Sequence, residues 1–300
     1  MQKTTRASGI SPALLLLALT LGSCGRSDGG PQESGPVFRF SAIPDEKPTD
    51  QEARFQPVAD YLAETLGVAV EYVPVNQYSA SVQAFKNDDV QAAWFGGLSG
   101  VQARLAVEGA TAIAQGDADP HYYSYFIANV DTGLEPGSDF PLDALGMKFT
   151  FGSEGSTSGR LMPEAFIREA TGRSPKEFFS AVGFAGNHPA TLAAVQSGAF
   201  DIGALNYKVY DAAKPDEKDH TRIIWRTPSY ADYNFTVHGD LDETFGAGFT
   251  ERLTRAWIAM PSGLCERSFS RDHMIPARNE DFAQLEETAK ALDLARSPGP

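Results

Sequence analysis

The sequence predicts an α/β protein of two lobes on largely parallel sheets, and three observations carry that expectation. Short β-like runs alternate with amphipathic helical stretches. The pattern runs to a long strand at 123–130, passes through a turn-rich stretch and starts again at 148–151, as if entering a second lobe. Segment 228–237 then crosses back, so two crossovers would join the lobes and leave a cleft between them. A chain of 300 residues, 42% hydrophobic and 21% charged, has the length and apolar content for two cores.

Each element has its own signal. Residues 38–43 read as a strand broken by Pro44, and the helix that follows carries Phe55, Val58, Ala59 and Leu62 on one face and stops at Gly67. Residues 68–73 form a second strand ended by Pro74, 78–85 a helix, and 91–95 a third strand running into Gly96-Gly97. A helix over 99–108 and a strand over 111–115 complete the first series. In the second, 161–170 and 190–196 are helical, the latter closed by Gly198, while 201–205 and 223–225 are strands. Helices over 249–258 and 282–292 would return to pack on the first lobe.

The first 36 residues read differently. Lys3 and Arg6 precede the apolar run 13–21, too short for a membrane span and suited to a signal peptide. It ends in Leu21-Gly22-Ser23-Cys24, which resembles a bacterial lipobox, so residues 1–23 would be removed and Cys24 would carry lipid. Residues 24–36 form a flexible tether of Gly, Ser, Asp and Pro. Lobe 1 would then comprise 37–125 and 235–300, and lobe 2 would comprise 126–234. With Cys24 acylated, Cys265 has no partner and reads as a small buried side chain.

Net charge narrows the function. Lys plus Arg is 25 and Asp plus Glu is 39, giving −14, which disfavours a nucleic-acid partner. No Cys/His spacing suits a metal, no cofactor motif appears, and the nucleophile-elbow and His-Glu-x-x-His patterns are absent, so no catalytic set is expected. The informative segment is Phe149-Thr150-Phe151-Gly152-Ser153-Glu154-Gly155-Ser156-Thr157-Ser158-Gly159-Arg160, a strand, a hydroxyl-rich turn and then a helix with Pro163 in its first turn. Free amides and hydroxyls at a helix N-terminus suit a phosphate-like anion without a formal cation. Plain capping by Ser156 or Ser158 is the simpler reading, but three consecutive hydroxyl residues exceed what a cap needs. Ala185-Gly186-Asn187-His188-Pro189 repeats the device, with Pro189 suited to the first helical position and His188 able to donate an imidazole N–H. Tyr78 and Phe95 fall at carboxyl edges of strands, where open α/β sheets bind ligands, and Trp94 reads as core.

On these residues the sequence resembles the phosphate/phosphite/phosphonate substrate-binding proteins of ABC transporters. The likeness extends through 40–44, Ala93-Trp94-Phe95-Gly96, Phe149-Thr150-Phe151-Gly152, Ser156-Thr157-Ser158-Gly159, Gly186-Asn187-His188 and 196–201. With 41–45 and 94–99, it looks most like a branch described as selenate-binding. The resemblance implies a type II periplasmic binding protein fold, with Ser156, Thr157 and Ser158 holding an oxyanion and His188 and Tyr78 assisting. Where phosphonate-binding relatives have a Tyr, this chain has Phe95, removing one hydroxyl. At the places where relatives set carboxylates against a ligand ammonium, 206–208 and 231–234 offer Asn206, Lys208 and Tyr233, which argues against aminoalkyl phosphonates. Arg160 or Lys208 could add local positive field. The implied role is a monomeric, lipid-anchored, cell-envelope protein that delivers a small tetrahedral oxyanion to a permease. The alternative is a sensory subunit acting on a membrane histidine kinase.

Overall fold

A computed structural model describes residues 35–45 and 48–296. The leader, Cys24 and nearly all of the tether lie outside the described residues.

In chain order, β1 (Val37–Ala42), α1 (Pro48–Leu66), β2 (Ala69–Tyr72), α2 (Tyr78–Lys86), β3 (Ala92–Phe95), α3 (Gly97–Ala106) and β4 (Thr111–Gly116) build the first lobe. The amphipathic reading of α1 holds: Phe55, Val58, Ala59 and Leu62 are buried, the three larger side chains each contributing about 1.5–3 kcal/mol in transfer terms. Gly67 ends the helix at φ +70° with its amide on the Ala63 carbonyl. The chain then crosses into β5 (Ser124–Asn129), β6 (Lys148–Phe151), α4 (Met162–Thr171), α5 (Pro175–Phe178), β7 (Ala181–Phe184), α6 (His188–Gln196), β8 (Ile202–Asn206), α7 (Tyr207–Ala212), α8 (Pro215–Lys218) and β9 (Thr221–Arg226). It returns through β10 (Asn234–Val237), α9 (Leu241–Phe245), α10 (Phe249–Ile258), α11 (Ser262–Phe269), β11 (Met274–Pro276) and α12 (Ala283–Ala291).

Two sheets result, ordered β11-β4-β10-β3-β1-β2 and β7-β6-β8-β5-β9. They are mixed, not largely parallel. Strand β10 runs antiparallel to both β3 and β4, and β5 antiparallel to both β8 and β9. Both enter from crossovers rather than βαβ units, so the right-handed parallel connection does not govern them. Strands β2 and β3 run parallel to β1 in the first sheet, and β7 and β8 run parallel to β6 in the second.

The crossovers pair with each other. Tyr122 and Tyr230 exchange both backbone hydrogen bonds at 2.9 Å, which ties the outgoing chain to the returning one at the hinge. Helix α10 packs on β4 and β11 and α12 on α3, with Leu253, Trp257 and Leu285 in one core. Cys265 is buried there as a free thiol. Among the described residues no helix is long and apolar enough to cross a membrane, and no cluster of side chains could hold a metal ion.

Candidate oxyanion site

The hydroxyl-rich turn leaves β6 at Phe151 and enters a π-helical turn, Thr157–Leu161, before α4 starts. A π turn widens the helix mouth, a feature concentrated at functional sites. Ser156 is its cap, with Oγ accepting from the Gly159 amide at 2.9 Å. The capping reading is therefore correct for Ser156, and the hydroxyl proton remains available to a ligand. The amides of Thr157 and Ser158 open the first turn and have no intrahelical acceptor. Ser156, Thr157 and Ser158 are all buried.

The first lobe meets this turn directly. Gly96 and Gly97 bring the α3 terminus close: the Leu98 amide donates to Thr157 Oγ1 at 3.0 Å and the Gly97 amide to Asp232 Oδ1 at 3.0 Å. Thr157 in turn donates to Asp232. Tyr78, the first residue of α2, packs against Gly155, where a Cβ would lie 2.8 Å from the Tyr78 Cβ. Glycine at 155 is what permits that approach.

His188 sits one position later than the sequence suggests. Asn187 takes the cap, accepting from Ala190 N at 2.9 Å, so His188 is the first helical residue and Pro189 the second. Relieved of capping, the imidazole lies beside Gly152 and Gly159, where side chains would crowd it. The Asn206 amide donates to Nδ1 at 3.3 Å. That contact makes Nδ1 the acceptor and places the proton on Nε2, which is buried without a protein partner. Burial lowers the His188 pKa to about 4, so the ring is a neutral donor near pH 7.

Asp232 is the site residue that sequence reasoning missed. Its Oδ2 is buried without a partner, and burial raises its pKa to about 7 against the opposing hydrogen bonds from Gly97 and Thr157. The sequence reading takes Lys208 and Tyr233 to stand at or near the places where relatives carry carboxylates. The structure puts Asp232 against the turn, while Tyr233 faces a cavity of about 390 Å³ that Asn206 and Lys208 also line.

The remaining expectations divide. Asn206 touches His188 from behind, so it supports the site. Phe95 packs edge-on against Phe85 at 5.6 Å in the first core, fully buried, and is not brought to the turn by a described contact. Trp94 is buried as expected but also lines the cavity and stacks on Tyr233. Lys208 lies over the Tyr207 ring at the cavity edge. Arg160 packs over Phe151 and Phe184 and pairs with Glu164. Neither expected cation touches the turn; the positive field there comes from amides, hydroxyls and helix termini, with the buried Arg271 guanidinium acting on Asp232 from a distance.

Such a cradle between two α/β lobes is the construction of a family of binding proteins, and the comparisons agree. Residues 40–282 match the family described as ABC transporter, phosphonate, periplasmic substrate-binding protein. The chain belongs to this family. A probable ABC transporter phosphite binding protein, PhnD1, of Prochlorococcus marinus (strain MIT 9301) is 39% identical over 282 residues, covering 88% of this chain and 94% of the relative. The phosphate-import protein PhnD of Mycolicibacterium smegmatis (strain ATCC 700084 / mc(2)155) is 28% identical, covering 77% of each. The solved structure of PhnD1 from Prochlorococcus marinus in complex with methylphosphonate superposes with a TM-score of 0.81 at 37% identity, covering 86% of this chain and 98% of that one.

The two-lobed periplasmic binding protein fold follows, and the protein is a non-catalytic, substrate-binding component of an ABC phosphonate/phosphite transporter. The resemblance to a selenate-binding branch does not carry through. The relatives named above have phosphite, phosphate or phosphonate in their names and selenate in none.

Proposed function

We propose that this chain captures a compact, proton-bearing phosphorus oxyanion, phosphite or a short alkyl phosphonate, and hands it to the permease of an ABC importer. The observation that carries this reading is the pair of buried, unpartnered atoms beside the turn, His188 Nε2 and Asp232 Oδ2. One is a fixed donor. The other needs a proton from somewhere: either the carboxyl is protonated and donates to the anion, or it is ionised and accepts from a protonated anion. Phosphorus oxyanions, with a second ionisation at about pH 6–7, bring such a proton. Sulfate and selenate are fully ionised at pH 7 and bring no proton, so they could be held only with Asp232 protonated, whereas a protonated phosphorus oxyanion suits either form of the carboxyl.

Ser156 and Ser158 would hold the anion oxygens with hydroxyls and, together with Thr157, with backbone amides, His188 would donate from the same lobe, and Tyr78 would close from the other. Anion contacts made by both lobes would favour the closed arrangement, so the ligand would shift an open–closed equilibrium. The names of the 39% identical relative and of the methylphosphonate complex support this substrate class. The lobe limits 37–125 with 235–300 and 126–234, moved to the starts of β5 at Ser124 and β10 at Asn234 so that neither strand is cut, a monomeric state and lipidation at Cys24 complete the proposal. Intact mass of membrane-extracted protein tests the last: a soluble, unacylated mature chain would refute it.

The substrate reading is tested by thermal shift of the mature protein against phosphite, methylphosphonate, phosphate, sulfate and selenate. A ligand at 100 times its dissociation constant adds about 2.7 kcal/mol. Phosphite or methylphosphonate should stand clear of the rest. Stabilisation by selenate alone would overturn the assignment.

A further inference from the structure

Residues adjacent in the chain divide between the candidate site and a cavity of about 390 Å³: Asp232 and His188 contact the turn, while Tyr233 and Pro189 line the cavity. A buried hydrogen-bond chain runs through this boundary. Tyr233 donates to Asp45 Oδ2 at 2.8 Å and accepts from Asn206 Nδ2 at 3.1 Å, which links the end of β1 in the first lobe to the end of β8 in the second. All three residues are less than a tenth exposed. The ring is also clamped, stacking on Trp94 at 5.7 Å and meeting Tyr122 edge-on at 5.4 Å.

We infer that Tyr233, held by Asp45 and Asn206, is a specificity-determining wall that limits the ligand to an oxyanion with at most a one-carbon substituent by keeping the adjoining cavity out of the site. The inference rests on the phosphorus-oxyanion reading and adds what decides ligand size. The cavity behind the wall is large enough for a short organic chain, and apolar side chains such as Trp94, Leu192 and Phe269 line it. The carbon chain of a longer phosphonate would meet the Tyr233 ring before it reached that space. Removing the ring would join the two spaces.

Calorimetry with phosphite, methylphosphonate, n-butylphosphonate and phenylphosphonate tests the wall on wild type, Tyr233→Ala and Asn206→Ser. Serine at 206 shortens the side chain while keeping an oxygen to accept from the Lys208 amide, as Asn206 Oδ1 does at 2.8 Å, so a folding failure of one variant leaves the other informative. Wild type should prefer methylphosphonate over the two larger ligands by at least 100-fold, and each folded variant should narrow that ratio to tenfold or less. Absolute affinities fall with the lost contacts, and the ratio is the readout. A wild type that binds butylphosphonate as well as methylphosphonate, or folded variants that keep the full ratio, would overturn the wall while leaving the oxyanion reading intact. Silence of wild type toward all four would overturn that reading and the wall with it.

Discussion

The Asn206 amide on His188 Nδ1 decides which imidazole nitrogen carries a proton, and the cap made by Asn187 decides where the ring sits. Replacing His188 by Leu removes the Nε2 donor, and a hydrogen bond to a charged acceptor contributes about 1.5–3 kcal/mol. Calorimetry should therefore find His188→Leu at least tenfold weaker for phosphite. Unchanged affinity would remove the ring from the site. Ser156, Thr157, Ser158 and His188 were legible because hydroxyls and a His at helix starts are a local pattern. Asp232 was not, because its role depends on α3 arriving from the other lobe to bond one carboxylate oxygen and leave its twin bare. Phe95 and Lys208 show the same dependence on tertiary context: their sequence positions border the candidate site, while one side chain packs into the core and the other lines the cavity.

At the scale of elements, the alternation of strand and helix fixed most boundaries to within a few residues, since periodicity and Gly or Pro stops are local. Two edge strands escaped notice. Strand β7 is half-exposed with no alternation, and β11 is three residues long and ends in Pro276, so neither has a pattern to read. The π turn also escaped, because its geometry depends on Gly159 lying against Gly152 and His188. A Cβ at Gly159 would stand 3.0 Å from Ser156 Oγ, 3.1 Å from His188 Cε1 and 3.2 Å from the Gly152 Cα. Gly159→Ala should therefore push the cap and the imidazole apart and weaken phosphite binding at least tenfold while the protein still unfolds cooperatively. A variant with wild-type affinity would show that the turn tolerates the shift and that its close packing is not needed.

For the whole molecule, two buried titratable groups pull the stability of the ligand-free protein in opposite directions with pH. His188 has a folded pKa of about 4, below its unfolded value of about 6.5, so its contribution is present above pH 6.5 and lost as pH falls toward 4. Asp232 has a folded pKa of about 7, above its unfolded value of about 3.9, so its contribution is present below pH 3.9 and lost as pH rises through 7. Between pH 4 and 6.5 the two slopes oppose each other, so relative to wild type the melting temperature without anion should fall with rising pH in His188→Leu and climb with rising pH in Asp232→Asn. Parallel profiles for wild type and both variants would contradict the assignments. The two lobes and their crossovers were visible in the sequence as a restart of the pattern, whereas the antiparallel entry of β5 and β10 was not, because strand direction is set by where a crossover lands.

Proton uptake on binding probes the central claim most directly: the site holds an oxyanion and Asp232 around one shared proton. At pH 8.5 both Asp232 and phosphite are ionised, so forming the complex must draw a proton from solution. Calorimetry of phosphite binding in buffers of different ionisation enthalpy counts it. The account predicts about one proton taken up per phosphite bound by wild type and none by Asp232→Asn, whose amide donates without titrating. Wild-type binding with no proton uptake would contradict it.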